Sequence, residues 1–501
     1  MMAERKEESG FWLSELLNGL VSITYDQQIT GLSLDSRKVM AGDLFFAVSG
    51  SDDHGLNFAI EALNKGAVAI VYDPSDAAIV CDQTVSPKVL IEMSGLSEKI
   101  GIIASRFYGE PSSHCRVIGV TGTNGKTSCV QFLQQCLPRS GSIGTLGWGE
   151  GERLSETINT TPDAVELQRI LAQFQANAMA YVAMEVSSHG LHQKRVSGVR
   201  FDGVMVTNIT RDHLDYHGTM ENYVAAKLAL LATSGIRFAV VNLGGDYLEQ
   251  ILAAIPEDVM IWGVSLNGKQ RKGIKVLNIS AMRFQEEGLC FDVEYQDMHQ
   301  TVALPLYGDV NVENAAMVMA ALLALDYSFD EVCARICKIQ PIPGRMEMFS
   351  SKGEWPTVIV DYAHTPDALK KLLLMVRRHC EGAVWLVFGC GGNRDVGKRS
   401  QMGVIAEQFS DHVIITNDNP RSESEQQIVS DIISQCQGAK IEIIYDRSTA
   451  IKKAVKKANK DDCVVIAGKG HEQYQHLNDK IIELSDRKIV TALLTNGAGL
   501  C

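Results

Sequence analysis

Paired Cys-x-x-Cys motifs are missing from this chain, although it holds 12 cysteines. That excludes zinc clusters of the finger or ribbon kind. Cys333 and Cys337 stand four apart in a helical pattern, and most other cysteines fall in apolar runs, as buried free thiols of a reducing cytoplasm do. No run approaches the ~20 apolar residues of a membrane span. Met1 to Gly10 is charged and lacks an apolar signal core, so the expected compartment is the cytoplasm. Positive charge is in deficit: 47 Lys and Arg face 60 Asp and Glu, for a net charge of -13. Nonspecific binding to nucleic acid or to an anionic membrane is thereby disfavoured, and an anionic substrate needs local basic residues. Repeats, coiled-coil heptads and low-complexity tracts are also lacking.

What is present is ordinary globular composition, 46% apolar and 21% charged. A chain of 501 residues exceeds a single core, so about two to four domains are expected. Residues 1–108 read as a small α/β unit: a helix over Phe11–Leu20, a strand over Asp43–Val48, a helix over Phe58–Lys65 and a strand over Ala67–Tyr72. Tyr108-Gly109-Glu110-Pro111 reads as a linker. Residues 109–341 alternate strand and helix, which implies a mostly parallel sheet. Its strands are expected at Val117–Val120, Tyr181–Val186, Gly203–Thr207, Phe238–Asn242 and Val259–Val264, with helices such as Asp163–Ala176, Met220–Thr233 and Asn311–Leu325. Three alternating runs, Ile274–Ile279, Leu289–Tyr295 and Gln300–Leu304, suggest an added β-meander. After Pro341-Ile342-Pro343, residues 342–501 alternate again as a doubly wound, Rossmann-like domain. Its strands fall at Val358–Asp361, Ala383–Phe388, Val413–Thr416, Ile441–Tyr445 and Cys463–Ala467. The fold class is therefore α/β in three domains.

The most informative stretch is Thr121-Gly122-Thr123-Asn124-Gly125-Lys126-Thr127. It joins the apolar run Val117–Val120 to a helical pattern, the strand, turn and helix of a phosphate-binding loop. Gly122 and Gly125 let backbone N–H groups turn toward phosphate oxygens, and the helix start adds partial positive charge. Lys126 reaches the outer phosphates, and the Thr127 hydroxyl suits a bridging magnesium ion. Val120 replaces the first glycine of the strict signature.

Open α/β sheets bind ligands beyond the carboxyl ends of their strands. Glu185 and His213 follow two such strands and are candidate magnesium ligands; the alternative is a hydrogen-bonded structural role for each. Lys227, taken alone, reads as a solvated helix lysine. Leu34-Asp35-Ser36-Arg37 reads as a polar loop, and Arg421 either as a surface arginine at a helix start or as a carboxylate contact.

Thr121–Thr127, Glu185–Leu191, Thr207–Tyr216, Pro343–Glu347, Asp361–Asp367 and Gly468-Lys469-Gly470-His471-Glu472 together resemble the Mur ligases, ATP-dependent amide-forming enzymes of peptidoglycan synthesis. The resemblance spans all three domains and keeps motif order, and that family does not hold the strict first glycine. It implies that Gly122, Thr123, Asn124, Gly125, Lys126, Thr127, Asn311, Arg345 and Asp361 bind ATP. It implies that Leu34, Ser36, Thr160, Thr161, Ser187, Gln193 and Arg195 bind a UDP-N-acetylmuramoyl-dipeptide. Lys227 is expected to be carbamylated, so that it holds magnesium with Thr127, Glu185 and His213; Lys126, His213 and Lys227 are the expected catalytic residues.

Asp418-Asn419-Pro420-Arg421 resembles the motif of members that add meso-diaminopimelate, whose distal carboxylate suits a bidentate guanidinium while lysine's bare ammonium does not. Arg394, Gly468 and Glu472 complete that expected subsite. A lysine-adding homologue or a folylpolyglutamate synthase-like ligase is the alternative, and a nonenzymatic nucleotide switch the more distant one. Asn393 departs from the aspartate of many relatives. Leu243-Gly244-Gly245-Asp246 and the loop Ser51–Leu56 depart as well. No nucleic-acid partner is expected, and the chain is expected to act as a monomer.

Overall fold

The computed structural model describes residues 10–50, 53–75, 86–151, 153–285, 288–350, 355–438, 440–478 and 480–496. Most of Met1–Gly10 and the first two residues of the loop Ser51–Leu56 lie outside these. The chain divides into two compact units. One comprises residues 1–121, 137–204 and 229–237; the other comprises 122–136, 205–228 and 238–501.

In the first unit, Gly31–Ser33, Asp43–Ala47, Ala69–Tyr72 and Leu90–Glu92 form a four-stranded parallel sheet. The alternation of side chains sends Phe46 into one core with Val71, Leu96, Ile100 and Ile103. It sends Phe45 into a second, with Ile70, Leu56 and Ala59. The expected helix over Phe11–Leu20 shrinks to Leu13–Leu16. Phe11 and Trp12 instead pair with Ile29 and Gln28, and Ser14 is tied to Asp26 by two hydrogen bonds. Phe58–Lys65 starts later than expected, as the helix Ala59–Asn64.

The unit's second sheet runs in the order Arg153–Ser155, Gly147–Glu150, Ser140–Gly144, Tyr181–Glu185, Arg116–Thr121, Phe201–Val206. Tyr181–Glu185 pairs in parallel with strands on both sides. Glu185 is level with Val120, so its strand ends beside the strand that leads into Gly122. Ser140–Gly144, unforeseen because it is mostly Ser and Gly, fits because Gly141 lies against the Phe174 ring and leaves no room for a Cβ.

In the second unit, Phe238–Asn242, Met260–Ser265 and Lys275–Gln285 pair in parallel. Gly288–Tyr295 and Met298–Leu304 then continue antiparallel, the expected meander. Helix Asp309–Ala324 is buried along nearly its whole length. The remaining sheet has the order Glu347–Phe349, Thr357–Asp361, Cys463–Ala467, Val384–Phe388, His412–Ile415, Ile441–Ile443. All its pairs are parallel except the antiparallel first edge. Both faces are packed, one by Leu369, Leu373 and Met402 and the other by Ala450, Ile451 and Val490. A hairpin of Tyr474–Leu477 and Lys480–Glu483 follows.

Candidate functional site

Gly122 and Gly125 both have positive φ, 144° and 84°. A Cβ at Gly122 would collide with the Thr207 hydroxyl, and one at Gly125 would meet Asn314 Oδ1 at 2.5 Å. Only glycine lets the turn pass so close to the segment after Val206. That segment fastens the turn. Thr207 Oγ1 donates to the Asn124 carbonyl at 2.6 Å, and Asn208 Oδ1 accepts from the Asn124 N–H at 2.9 Å. Thr123 Oγ1 bonds Thr210 and sits 3.0 Å from the Tyr223 hydroxyl. The helix Lys126–Cys136 begins directly after the turn. Lys126 Nζ folds back onto the Gly122 and Thr123 carbonyls at 2.8 and 2.9 Å.

Lys227 corrects the reading made from its own helix: it is 1% exposed. Its Nζ donates to the Gly122 carbonyl at 2.7 Å and lies 4.6 Å from the Tyr223 ring centre. Burial, reinforced by the charge of Lys126, pushes its pKa well below the usual lysine value, while Asp212 opposes the shift. A buried lysine that readily loses its proton is the species able to add carbon dioxide.

His213, in left-handed backbone with φ 54°, places Nε2 3.4 Å from Asp212 Oδ2. Asp212 is 2% exposed and also faces Lys398 Nζ at 3.3 Å and His364 Nε2 at 3.6 Å. Burial pushes the Asp212 carboxyl upward, but the Lys398 charge and the two histidines outweigh it and hold the group well below the usual carboxylate range. Asp212, Lys398 and His364 were missed from sequence; the signal was a carboxylate inside the motif Thr210-Arg211-Asp212-His213. Arg345 Nη2 donates to Thr127 Oγ1 at 2.9 Å, and its guanidinium lies 4.2 Å from the Tyr362 ring centre. Asp361 accepts the N–H groups of Met346 and Ala363 at 2.7 and 2.8 Å. Burial raises its pKa against the opposing Arg345 charge. Asn311, 5% exposed, donates to the Tyr307 carbonyl.

Among the described residues, no three His, Cys, Asp or Glu side chains form a ready metal cage. A metal ion here would draw on the Thr127 hydroxyl and the His213 imidazole, and phosphate oxygens would complete a set that suits magnesium.

The first unit brings together a second group. Glu185, 1% exposed, accepts from the Thr145 N–H at 2.8 Å and the Thr145 hydroxyl at 3.2 Å. Gly144 leaves room for that carboxylate. Thr160 Oγ1 is 3.1 Å from Thr145 Oγ1. Thr161 Oγ1 donates to the Glu185 carbonyl at 3.0 Å and accepts the Ser187 N–H at 3.0 Å. Arg195 donates to the Thr161 carbonyl and to Gln193 Oε1. Leu34 and Ser36 are not hydrogen-bonded to this group: Ser36 donates to Glu61, and Leu34 packs on the N-terminal core.

In the second unit, Asp418, Asn419, Pro420 and Arg421 follow the strand His412–Ile415. Arg421 is no plain surface arginine. Its φ is 55°, a costly conformation for a non-glycine residue. The hairpin holds it there: Arg421 N–H donates to the His476 carbonyl at 3.1 Å, and Asn478 N–H to the Arg421 carbonyl at 2.7 Å. Its guanidinium donates to the Gly392 carbonyl at 2.9 Å. Burial and then the neighbouring charge of Arg394 lower its pKa, so two cations share one locale. Asn393, also left-handed at φ 52°, suits asparagine.

Close by, Lys469 is 0% exposed. It bonds Glu472 Oε2 at 2.5 Å and Asn419 Oδ1 at 3.1 Å, while Asn419 Nδ2 reaches the same Glu472 oxygen at 3.0 Å. Gly468 turns at φ 113° against Asp418. The subsite thus joins guanidinium groups to the carboxylates of Asp418 and Glu472, an arrangement suited to a zwitterion.

Three family models match the chain: "Mur ligase family, catalytic domain" over residues 28–108, "Mur ligase middle domain" over 120–322, and "Mur ligase, glutamate ligase domain" over 344–470. A UDP-N-acetylmuramoyl-L-alanyl-D-glutamate–2,6-diaminopimelate ligase of Coxiella burnetii is 41% identical over 485 residues, covering 95% of this chain and 98% of that protein. The protein of the same name from Xylella fastidiosa is 44% identical over 458 residues, covering 90% and 91%. A solved structure of a ligase of that name superposes with a TM-score of 0.69 at 31% identity, covering 98% of this chain and 99% of the other.

Proposed function

The chain belongs to the Mur ligase family, and from that premise we propose that it joins meso-diaminopimelate to UDP-N-acetylmuramoyl-L-alanyl-D-glutamate. As a family member it is an ATP-dependent, amide-forming ligase. The proposed step belongs to peptidoglycan-precursor synthesis in the cytoplasm, with the chain acting as a monomer in three working modules, 1–108, 109–341 and 342–501. No helix among the described residues is long and apolar enough to cross a membrane. The observation that carries the choice of amino acid is Arg421, buttressed by the hairpin, with Arg394 beside it and Glu472 close by. A diacid with a distal ammonium matches both signs of charge; lysine would leave the guanidinium groups unanswered.

In this reading the N–H groups of Gly122, Thr123, Asn124 and Gly125 and the Lys126 ammonium hold the ATP phosphates. Asn311, Arg345 and Asp361 hold the nucleotide. Thr127, His213 and a carbamate on Lys227 would hold magnesium; family resemblance, not contact geometry, adds Glu185. When bound, magnesium supplies positive charge that offsets repulsion between carboxylate and phosphate. Thr160, Thr161, Ser187, Gln193 and Arg195, with Leu34 and Ser36, hold the UDP-linked dipeptide.

Its D-glutamate γ-carboxylate attacks the γ-phosphorus of ATP, giving an acyl phosphate and ADP. The amine of diaminopimelate attacks the acyl carbon and loses a proton, and the tetrahedral intermediate expels phosphate as the amide forms. Lys126 neutralises charge that develops on the transferring phosphoryl group. Phosphate release measured with each substrate omitted in turn tests the reading. It should require ATP, the UDP-linked dipeptide and the amino acid together. Phosphate release from ATP alone at the full rate would contradict it.

A further inference from the structure

The strands Arg116–Thr121 and Tyr181–Glu185 begin at the edge opposite the one where Thr121 and Glu185 end them. A cavity of about 620 Å³ opens at that edge, lined by Arg116, Arg139, Arg200, His114, Ser113 and Gln175 among others. Its size lies within the range of small-molecule sites. The sequence places one arginine at the start of a strand, one just before Ser140–Gly144 and one just before Phe201–Val206. Arg139 and Arg200 are exposed, so the cavity is open to solutes.

Charge at this place is unbalanced. Among the described residues, Asp202 is the one acidic residue in the lining, and Arg237 already takes both of its oxygens, at 2.7 and 2.8 Å. Among the described residues, the guanidinium groups of Arg116, Arg139 and Arg200 take part in no hydrogen bond or ion pair. Arginines at such an edge often answer the carbonyls of a helix end. The helix Ala164–Ala176 does end here, but backbone N–H groups already occupy three of its last four carbonyls. Asn177 donates to Gln173 at 3.0 Å, Ala178 to Gln175 at 2.9 Å and Met179 to Phe174 at 3.0 Å. Three guanidinium groups without counter-ions, gathered in a chain of net charge -13, repel one another until an anion enters.

We propose that this cavity is a second binding site, separate from the nucleotide loop, for a small anion bearing a pyrophosphoryl group. Guanidinium groups pair bidentately with phosphoryl oxygens, and three of them answer a charge larger than a single carboxylate carries. Among the described residues no Phe, Tyr or Trp lines the cavity, and His114 is the one aromatic ring there, so recognition centres on the phosphates. Free pyrophosphate and the diphosphate of a nucleotide are the two sources of that chemistry.

The test saturates the full chain with a nonhydrolysable ATP analogue and the UDP-linked dipeptide, then titrates inorganic pyrophosphate by calorimetry. One further equivalent should bind. Arg139→Gln and Arg200→Gln should each weaken it by about tenfold or more, Arg200→Glu should abolish it, and the ligation rate should be unchanged. ADP in place of pyrophosphate should bind this second site no tighter than pyrophosphate does. Absence of any further binding, equal affinity in the variants, or a marked preference for ADP would each overturn the proposal. Both positions are exposed, so these variants retain the fold. The salt dependence of pyrophosphate binding to the unaltered chain supplies a readout without substitution: affinity should fall steeply with added salt, and a flat response would overturn the proposal too.

Discussion

Lys227 Nζ lies 2.7 Å from the carbonyl oxygen of Gly122, so a buried amine on one helix is fixed to the first residue of the glycine-rich turn. Burial and Lys126 both favour its neutral form. Lys227→Ala should therefore lower the ligation rate by about 10²–10³-fold, as removing a preorganised charge does. A short carboxylic acid in excess should restore part of the rate by standing in for the proposed carbamate. Initial rates with and without acetate check this; full activity in the variant would contradict it.

Asp212 joins His213 to Lys398 and His364. Its carboxyl is held below the ordinary range in the folded chain, so it contributes stability above its unfolded pKa of about 4, and that contribution is lost as pH falls through the folded value. Asp212→Asn should destabilise the protein by about 3–5 kcal/mol at pH 7, the cost of leaving Lys398 buried without its partner. Urea unfolding midpoints measured at falling pH should converge for the two proteins only in strong acid. A gap that widened as pH fell would reverse the sign of this argument.

Arg421→Ala should raise the KM for meso-diaminopimelate by about 10- to 100-fold, the worth of hydrogen bonds to a charged group. The KM for ATP should stay within about twofold, since the hydrogen bonds of Arg421 go to Gly392, Asn419, His476 and Asn478 and not to the turn Gly122–Thr127. Steady-state kinetics with each substrate varied separates the two. Equal increases in both would point to general damage.

Arg447 and Asp486 are both fully buried and pair through two hydrogen bonds of 2.8 Å. Arg447 also donates to the Ala467 carbonyl at 2.9 Å. Arg447→Ala leaves Asp486 charged and enclosed, so unfolding free energy should drop by about 3–5 kcal/mol. Chemical denaturation checks the loss. A change under 1 kcal/mol would mean that water replaces the guanidinium.

The sequence made visible those features that local residues decide. Val117–Val120 followed by Gly-Thr-Asn-Gly-Lys-Thr announces strand, turn and helix because apolar pattern and glycine placement are local signals. The runs around Phe238, Leu289 and Cys463 stand as strands because their β-branched and aromatic residues have no competing preference. Ser140–Gly144 was hidden because its pairing with Tyr181–Glu185, together with Phe174 over Gly141, creates the strand. Lys227 looked solvated because its burial is imposed by the turn packed on it, not by its helix. Arg421 drew attention through its motif, but its left-handed backbone depends on a hairpin more than fifty residues away. Asp212 was overlooked because its partners are distant in sequence, Lys398 on the helix Gly397–Phe409 and His364 in the loop after the strand Thr357–Asp361.

The most direct measurement is a mass spectrum of the product formed from ATP, UDP-N-acetylmuramoyl-L-alanyl-D-glutamate and equal amounts of meso-diaminopimelate and lysine. The account predicts a UDP-linked tripeptide carrying diaminopimelate almost alone. A product carrying mainly lysine, or nucleotide hydrolysis with no elongated peptide, would contradict it.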